Sequence, residues 1–259
     1  MMRNEHWRWR TSRPSWSAAP SRSSAHLPAT TSAMSSTWAE QVWAVLKKDV
    51  LLEARSRVSL NATLFFAAIV LLTFSFALGP DRRQLASAAS GLLWLAFIFS
   101  GLLAFGRIYQ LEMENSAFEG LLLLARNRSA IYMGKVLGAM AVMLAIEAVV
   151  LPMTAVLYTL DVAANLPLLI LSLFLGTTGF AAIGALYGAL TASLRSREVL
   201  LPLLLLPVTA PVILAAVKAT SLALTGGSAD VARWVELLLV FDVVFVTAGL
   251  LTFEYAPGE

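Results

Sequence analysis

Two uncharged stretches, Val58–Pro80 and Gln84–Gly106, stand almost back to back and restrict this chain more than any other feature. As helices, both are long enough to cross about 30 Å of hydrocarbon. Only Asp81, Arg82 and Arg83 separate them, so a tight turn is expected. In lipid a backbone must satisfy its own polar groups, which leaves helices as the natural solution for such runs. Four more apolar segments follow. The third runs from about Met133 to Leu160, with Glu147 inside it and Pro152 after that. Asp161–Pro167 turns the chain into a fourth that ends near Leu194, and Arg195–Glu198 leads to a fifth, Val199–Val217. The fifth has no charge but carries Pro202, Pro207 and Pro211, which imply a kinked or broken helix or else tolerated distortions. A linker, Lys218–Asp230, with Gly226 and Gly227, precedes the sixth, which begins near Val231, contains Asp242 and ends at Phe253. The pattern predicts an all-α integral membrane protein with six transmembrane helices over 58–253.

Composition agrees with that reading. Hydrophobic residues make up 58% of the chain and charged ones 14%, with a mean hydropathy of +0.75. Soluble domains average about 25% charged residues. The net charge of +3 would point to nucleic acid if it were clustered. Here the basic residues sit between spans and report membrane orientation, so no nucleic-acid partner is expected. With no cysteine, the chain has no disulfide, no thiolate metal site and no cysteine nucleophile. Its histidines, His6 and His26, both precede the first span, so no span offers an imidazole to haem or a metal.

Residues 1–37 differ from the rest. They are rich in serine and in arginine (Arg3, Arg8, Arg10, Arg13, Arg22) and include Pro14, Pro20 and Pro28, without the apolar core of a secretory signal. An organelle transit peptide has similar composition. The expectation is a disordered tail, or an upstream mis-called start with Met34 as initiator. Residues 38–57 follow as an interfacial helix. Ala39, Trp43, Leu46 and Val50 form a stripe, with Glu40, Lys47 and Lys48 on the far side. Tryptophan and lysine in this arrangement suit the membrane–water boundary. Residues 254–259 are a short C-terminal tail. Ten basic residues (Lys47, Lys48, Arg55, Arg57, Arg107, Arg126, Arg128, Lys135, Arg195 and Arg197) gather on one side of the spans. Four, namely Arg82, Arg83, Lys218 and Arg233, lie on the other. The bias puts both termini in the cytoplasm.

Between the second and third spans lies Arg107–Lys135, the longest charged stretch after residue 60. Ile108, Leu111, Asn115, Phe118, Leu122 and Ala125 recur at helical spacing and define one face, flanked by Glu112, Glu114 and Glu119. Gly120 weakens its middle by about 1 kcal/mol relative to alanine. Such a segment is either a short docking helix held between two spans or an ordinary loop helix on the lipid headgroups.

Glu147 and Asp242 are the carboxylates embedded in spans, with Glu236 nearer an end. A charge at bilayer depth costs several kcal/mol, so each is expected to face protein or a water-filled cavity, or to be protonated. Glu147 reads equally as part of a substrate or proton path and as a packing contact; Asp242, lacking a basic partner in a span, reads as packing. No acid–base pair is visible by spacing. Gly184 and Gly188 form a GxxxG pair, as do Gly134 and Gly138, and Gly176 and Gly179 share the fourth span. These let helix backbones approach closely, within the bundle or against a partner subunit. Gly134-Lys135 is no phosphate-binding loop, because valine follows it and no glycine stands five residues earlier. Without nucleotide or hydrolytic machinery, the chain is expected not to be an enzyme, and energy has to come from another subunit.

An interfacial helix, six spans and a helix-bearing loop after the second span resemble a permease of the ABC-2 exporter type. The residues narrow this further. Lys48-Asp49 with Glu53 and Arg55, Phe65-Phe66 and Phe74–Pro80 resemble the opening of the CcmB family, the haem exporter protein B permeases of cytochrome c maturation. Glu112, Glu114, Glu119-Gly120, the Leu121–Leu124 run, Arg128 and Gly134-Lys135 are similar to that family's central signature. The likeness covers about Trp38–Phe253 and departs at Arg126-Asn127, where better-known members carry Ser-Pro. It implies residence in the bacterial inner (plasma) membrane and a partner ATPase of the CcmA type that binds the ATP. It also implies association with a haem-handling membrane protein of the CcmC type and a haem chaperone of the CcmE type. A second permease copy is a further candidate partner. Haem would be handled by the complex, no cofactor or metal is expected in this chain, and ATP hydrolysis in that system drives release of the haem-loaded chaperone. On this resemblance Arg107–Lys135 is the coupling helix: Leu111, Glu112, Glu114, Phe118, Glu119, Leu122 and Arg126 contact the ATPase, the apolar side chains entering a groove. The alternatives are an ABC-2 permease for lipid, drug or polysaccharide export and a non-transporting assembly scaffold. A carrier driven by a proton gradient through Glu147 is a more distant one.

Overall fold

The computed structural model describes residues 37–55, 57–114, 127–163, 165–192, 194, 197–226 and 228–255. Of the tail expected over residues 1–37, all but Thr37 lies outside it, as do the last four residues. The described chain is helical throughout: α1 (Trp38–Arg55), α2 (Arg57–Leu78), α3 (Arg82–Glu114), α4 (Arg128–Leu157), α5 (Leu166–Ala192), α6 (Arg197–Thr225) and α7 (Ser228–Tyr255). Helices α2 to α7 are each long and apolar enough to cross a membrane, and no strand occurs among the described residues. This is an all-α integral membrane protein, as its uncharged runs require.

Local chemistry starts the helices. At α1, Thr37 and Glu40 bond reciprocally: the Thr37 N–H donates to Glu40 Oε2 (2.7 Å) and the Glu40 N–H to Thr37 Oγ1 (3.3 Å). This capping box satisfies two donors that a helix start leaves orphaned. At α3, Asp81 Oδ1 accepts the Arg83 N–H at 2.9 Å, and Gly79, with φ +74, closes the turn that precedes it. Glycine takes that left-handed backbone without a Cβ penalty.

Two boundaries differ from the sequence expectation. Helix α6 runs unbroken through Pro202, Pro207 and Pro211 and continues past Lys218 to Thr225. A lone lysine does not end a helix whose Ala219, Thr220 and Ala223 remain buried against the bundle. Helix α3 continues through Arg107 to Glu114, and α4 already begins at Arg128. Both ends of the supposed separate loop helix therefore belong to span helices.

Helices α4 and α5 form the centre. Helix α4 packs on α1, α2, α3, α5 and α7, and α5 on α3, α4, α6 and α7. Small residues make that density available. A Cβ on Gly176 would strike the Trp94 ring of α3, and one on Gly184 the Phe105 ring. Trp94 Nε1 donates to Thr220 Oγ1 at 3.0 Å, which ties α3 to α6 with both groups buried. Gly176 and Gly184 thus serve packing within this chain. Successive spans alternate in direction, so α1, the end of α3, the start of α4 and the end of α7 share one end of the bundle. At the opposite end, the Tyr158 hydroxyl donates to the Leu71 carbonyl at 2.9 Å and holds α4 to α2.

Candidate functional site

Leu111, Glu112 and Glu114, three of the residues the sequence assigns to ATPase contact, are on the final turns of α3. Phe118, Glu119, Leu122 and Arg126 fall outside the described residues. What the structure does describe is the root of this connection where it enters α4, and α1 is clamped to it.

The clamp is built from the glycine pair at 134 and 138. Gly134 brings α1 so close that a Cβ there would stand 2.6 Å from Val45 Cβ and 3.1 Å from the Val42 carbonyl; at Gly138 it would stand 3.1 Å from Asp49 Cβ. The partner of this GxxxG pair is α1 of the same chain. Between the glycines, Lys135 reaches back to α1, its Nζ 3.2 Å from Asp49 Oδ1 and 3.0 Å from Oδ2. Both side chains are 2% exposed. Lys48 Nζ approaches Asp49 Oδ1 at 3.3 Å from the more exposed side. One turn further, Glu53 is also buried, and at the other end of α1 Trp38 Nε1 donates to Ser129 Oγ at 3.3 Å. Hydrogen bonds and packing therefore seat α1 along the first three turns of α4.

This corrects the reading of Lys135. Lys135 belongs to a buried ion pair and is no loop marker of membrane orientation. An acid–base pair does exist, although its members lie 86 residues apart and spacing does not reveal it. The signals were present: a lone lysine within an apolar helix, and Asp49 on the same helical face as Val42 and Val45. That face, continued by Glu53, is the one α1 buries. The apolar stripe expected at the membrane boundary lies to one side of it, with Trp43 64% exposed and Leu46 and Val50 half-buried.

Deeper in the bundle, the Thr177 hydroxyl of α5 donates to Glu147 Oε1 of α4, with both residues buried. Asp242 of α7 is 6% exposed and faces Gly179, where a Cβ would meet its Oδ1 at 2.6 Å and Val212 Cγ1 at 3.0 Å. Neither of its carboxyl oxygens has a hydrogen-bond partner among the described residues. Glu147 and Asp242 thus sit in two different interfaces, α4–α5 and α5–α7, each with its own neighbours. Tyr132 joins all three helices at the clamp end: its hydroxyl lies 3.0 Å from the Ala182 carbonyl and 3.4 Å from that of Phe245. Its ring covers Gly249 and packs 5.1 Å from Phe253.

A bundle of six long apolar helices, with a shorter N-terminal helix packed on the start of the third of them, defines a polytopic membrane protein. Comparison with known proteins makes the class specific. The family described as CcmB protein matches residues 40–257, and the chain belongs to that family. It is 32% identical to heme exporter protein B of Haemophilus influenzae over 171 residues, which covers 66% of this chain and 76% of the relative. Against heme exporter protein B of Rhodobacter capsulatus the identity is 30% over 215 residues, covering 83% and 96%. The Pseudomonas aeruginosa protein of the same name is 30% identical over 182 residues, covering 70% and 81%.

Proposed function

We infer that this chain is the permease subunit of an ABC-type haem-export system serving cytochrome c maturation. Its membership of the CcmB family carries this reading, and the relatives named as heme exporters extend over most of its length. The chain supplies the membrane part and a CcmA-type ATPase supplies the hydrolysis. A CcmC-type haem-handling protein and a CcmE-type chaperone complete the assembly. Both termini are cytoplasmic, because basic residues still favour that side after Lys135 is removed from the tally.

In this scheme the connection between α3 and α4 docks on the ATPase, with Phe118 and Leu122 entering its groove. The clamp supports the assignment of mechanical work to this end. A loop pushed by a partner can move the bundle only if its root is stiff, and α1 splints that root through Trp38, Val45 and Asp49. The test is affinity purification of the tagged chain in mild detergent, followed by mass spectrometry of its companions and a visible absorption spectrum. The wild type brings down an ATPase and a haem protein. Phe118→Glu loses the ATPase while the bundle stays folded. Unchanged ATPase recovery with that variant overturns the docking assignment, and recovery of an ATPase without any haem protein overturns the haem-export reading.

A further inference from the structure

At the end of the bundle away from the α3–α4 connection, α6 and α7 border an open cavity of about 570 Å³ whose lining includes Lys218, Ser221, Asp230, Arg233, Trp234 and Leu237. Lys218 carries the one charge in the apolar stretch Val199–Thr225. It lies about two turns before the end of α6, and Arg233 about one and a half turns after the start of α7. Two cations at this depth on this side run against the basic bias that orients the rest of the chain. Asp230 offsets one of them and leaves one net positive charge, and none of the three forms an ion pair among the described residues.

The surroundings fit one kind of anion. Trp234 is half-buried in the cavity wall within the first two turns of α7, and tryptophans near the ends of membrane helices suit the headgroup level. Leu237 begins an exposed stripe that continues down α7 through Val240, Val244 and Leu251 at helical spacing. A small soluble anion would have no use for that stripe, whereas an acyl chain would lie along it. We propose that this cavity binds one anionic phospholipid with a hydroxylated headgroup, Lys218 and Arg233 holding the phosphodiester, Asp230 accepting from headgroup hydroxyls, and an acyl chain following Leu237, Val240 and Val244. The net charge of the site matches a lipid of charge −1 better than a zwitterion. The proposal stands independently of what the complex exports.

The experiment is native mass spectrometry of the purified full chain from micelles doped with equal phosphatidylglycerol, phosphatidylethanolamine and phosphatidylcholine. One retained phosphatidylglycerol per chain, in preference to the other two, is expected. Lys218→Gln with Arg233→Gln lowers that retention roughly tenfold or more, whereas Arg82→Gln with Arg83→Gln, exposed at the same end, leaves it unchanged. Arg233 is exposed, so Arg233→Gln alone keeps the fold and gives an intermediate loss. Equal retention of the three lipids, or no loss in the folded variants, overturns the site. Displacement of the lipid by millimolar inorganic phosphate also overturns it, since the stripe would then contribute nothing.

Discussion

Lys135 Nζ lies 3.0 Å from Asp49 Oδ2 across an interface in which neither side chain reaches solvent. Each ion neutralises the other's burial cost, and Gly138 lets the carboxylate come near enough to do so. Deleting Lys135 should leave the buried Asp49 carboxylate with only the more exposed Lys48, 3.3 Å from its Oδ1, at a cost of up to about 3–5 kcal/mol. Lys135→Met is therefore expected to lower the melting temperature in detergent by on the order of 10 °C. Asp49→Leu added to Lys135→Met should recover most of that loss, because an apolar pair fills the same space without a stranded ion. If the double variant melts as low as the single one, the pair does not act as a unit.

Gly134 tests whether the clamp depends on backbone approach. In Gly134→Leu, a side chain must enter where Val45 Cβ already stands 2.6 Å away and the Val42 carbonyl 3.1 Å away. Backbone cannot yield as a side-chain tip does, so α1 should lift from α4. Amide hydrogen exchange over residues 38–55 should accelerate by roughly tenfold or more, while α5 and α6 keep their protection. An unchanged α1 would mean that its seat is set by lipid and not by α4.

How much of this was legible in the chain depends on the range of the interaction. Val58–Pro80 and Gln84–Gly106 announce themselves because a helix in lipid needs nothing beyond length and absence of charge. Lys218 misled for the same reason: a charge reads as a boundary, but a cation near a helix end extends to the headgroups while its neighbours stay buried. The face that α1 buries was illegible by hydrophobicity, since Asp49 and Glu53 lie on it and Trp43 does not. The contact between Asp49 and Lys135, which no periodicity reveals, helps to make an acidic face the inner one. The spacing at Gly134 and Gly138 revealed close packing, yet nothing in it names α1 as the helix that packs there. Thr37 and Glu40 did carry a legible signal, the Thr-x-x-Glu start of α1, that hydrophobic periodicity passes over. For Phe118, Glu119, Leu122 and Arg126 the resemblance to the family remains the whole basis of the proposal.

Gly179 and Asp242 are expected to be energetically coupled. Gly179→Ala pushes a methyl against Asp242 Oδ1 and Val212, and overpacking of this kind costs about 1–3 kcal/mol. In an Asp242→Ala background the carboxylate is gone and the same methyl should be tolerated. A double-mutant cycle on detergent melting should therefore give a coupling of about 1 kcal/mol or more. A cycle that closes to zero would show that α5 and α7 adjust independently.

Glu147 distinguishes packing from chemistry. Its carboxylate is bonded to Thr177 across the α4–α5 interface and is 4% exposed, an arrangement that a hydrogen-bonding contact requires and a mobile proton carrier does not. Thr177→Val removes the donor and leaves a buried polar group unsatisfied, which should cost about 1–3 kcal/mol. Glu147→Gln retains an acceptor oxygen for the Thr177 hydroxyl and should keep both stability and haem delivery within about twofold of wild type, since a neutral amide serves the contact as well. The measurement is the yield of holo-cytochrome c in cells carrying each variant, alongside the melting temperature of the purified chain. Were Glu147→Gln to melt normally yet yield no holo-cytochrome, ionisation of Glu147 would be part of the transport step, and the α4–α5 contact would have to be read as a gate.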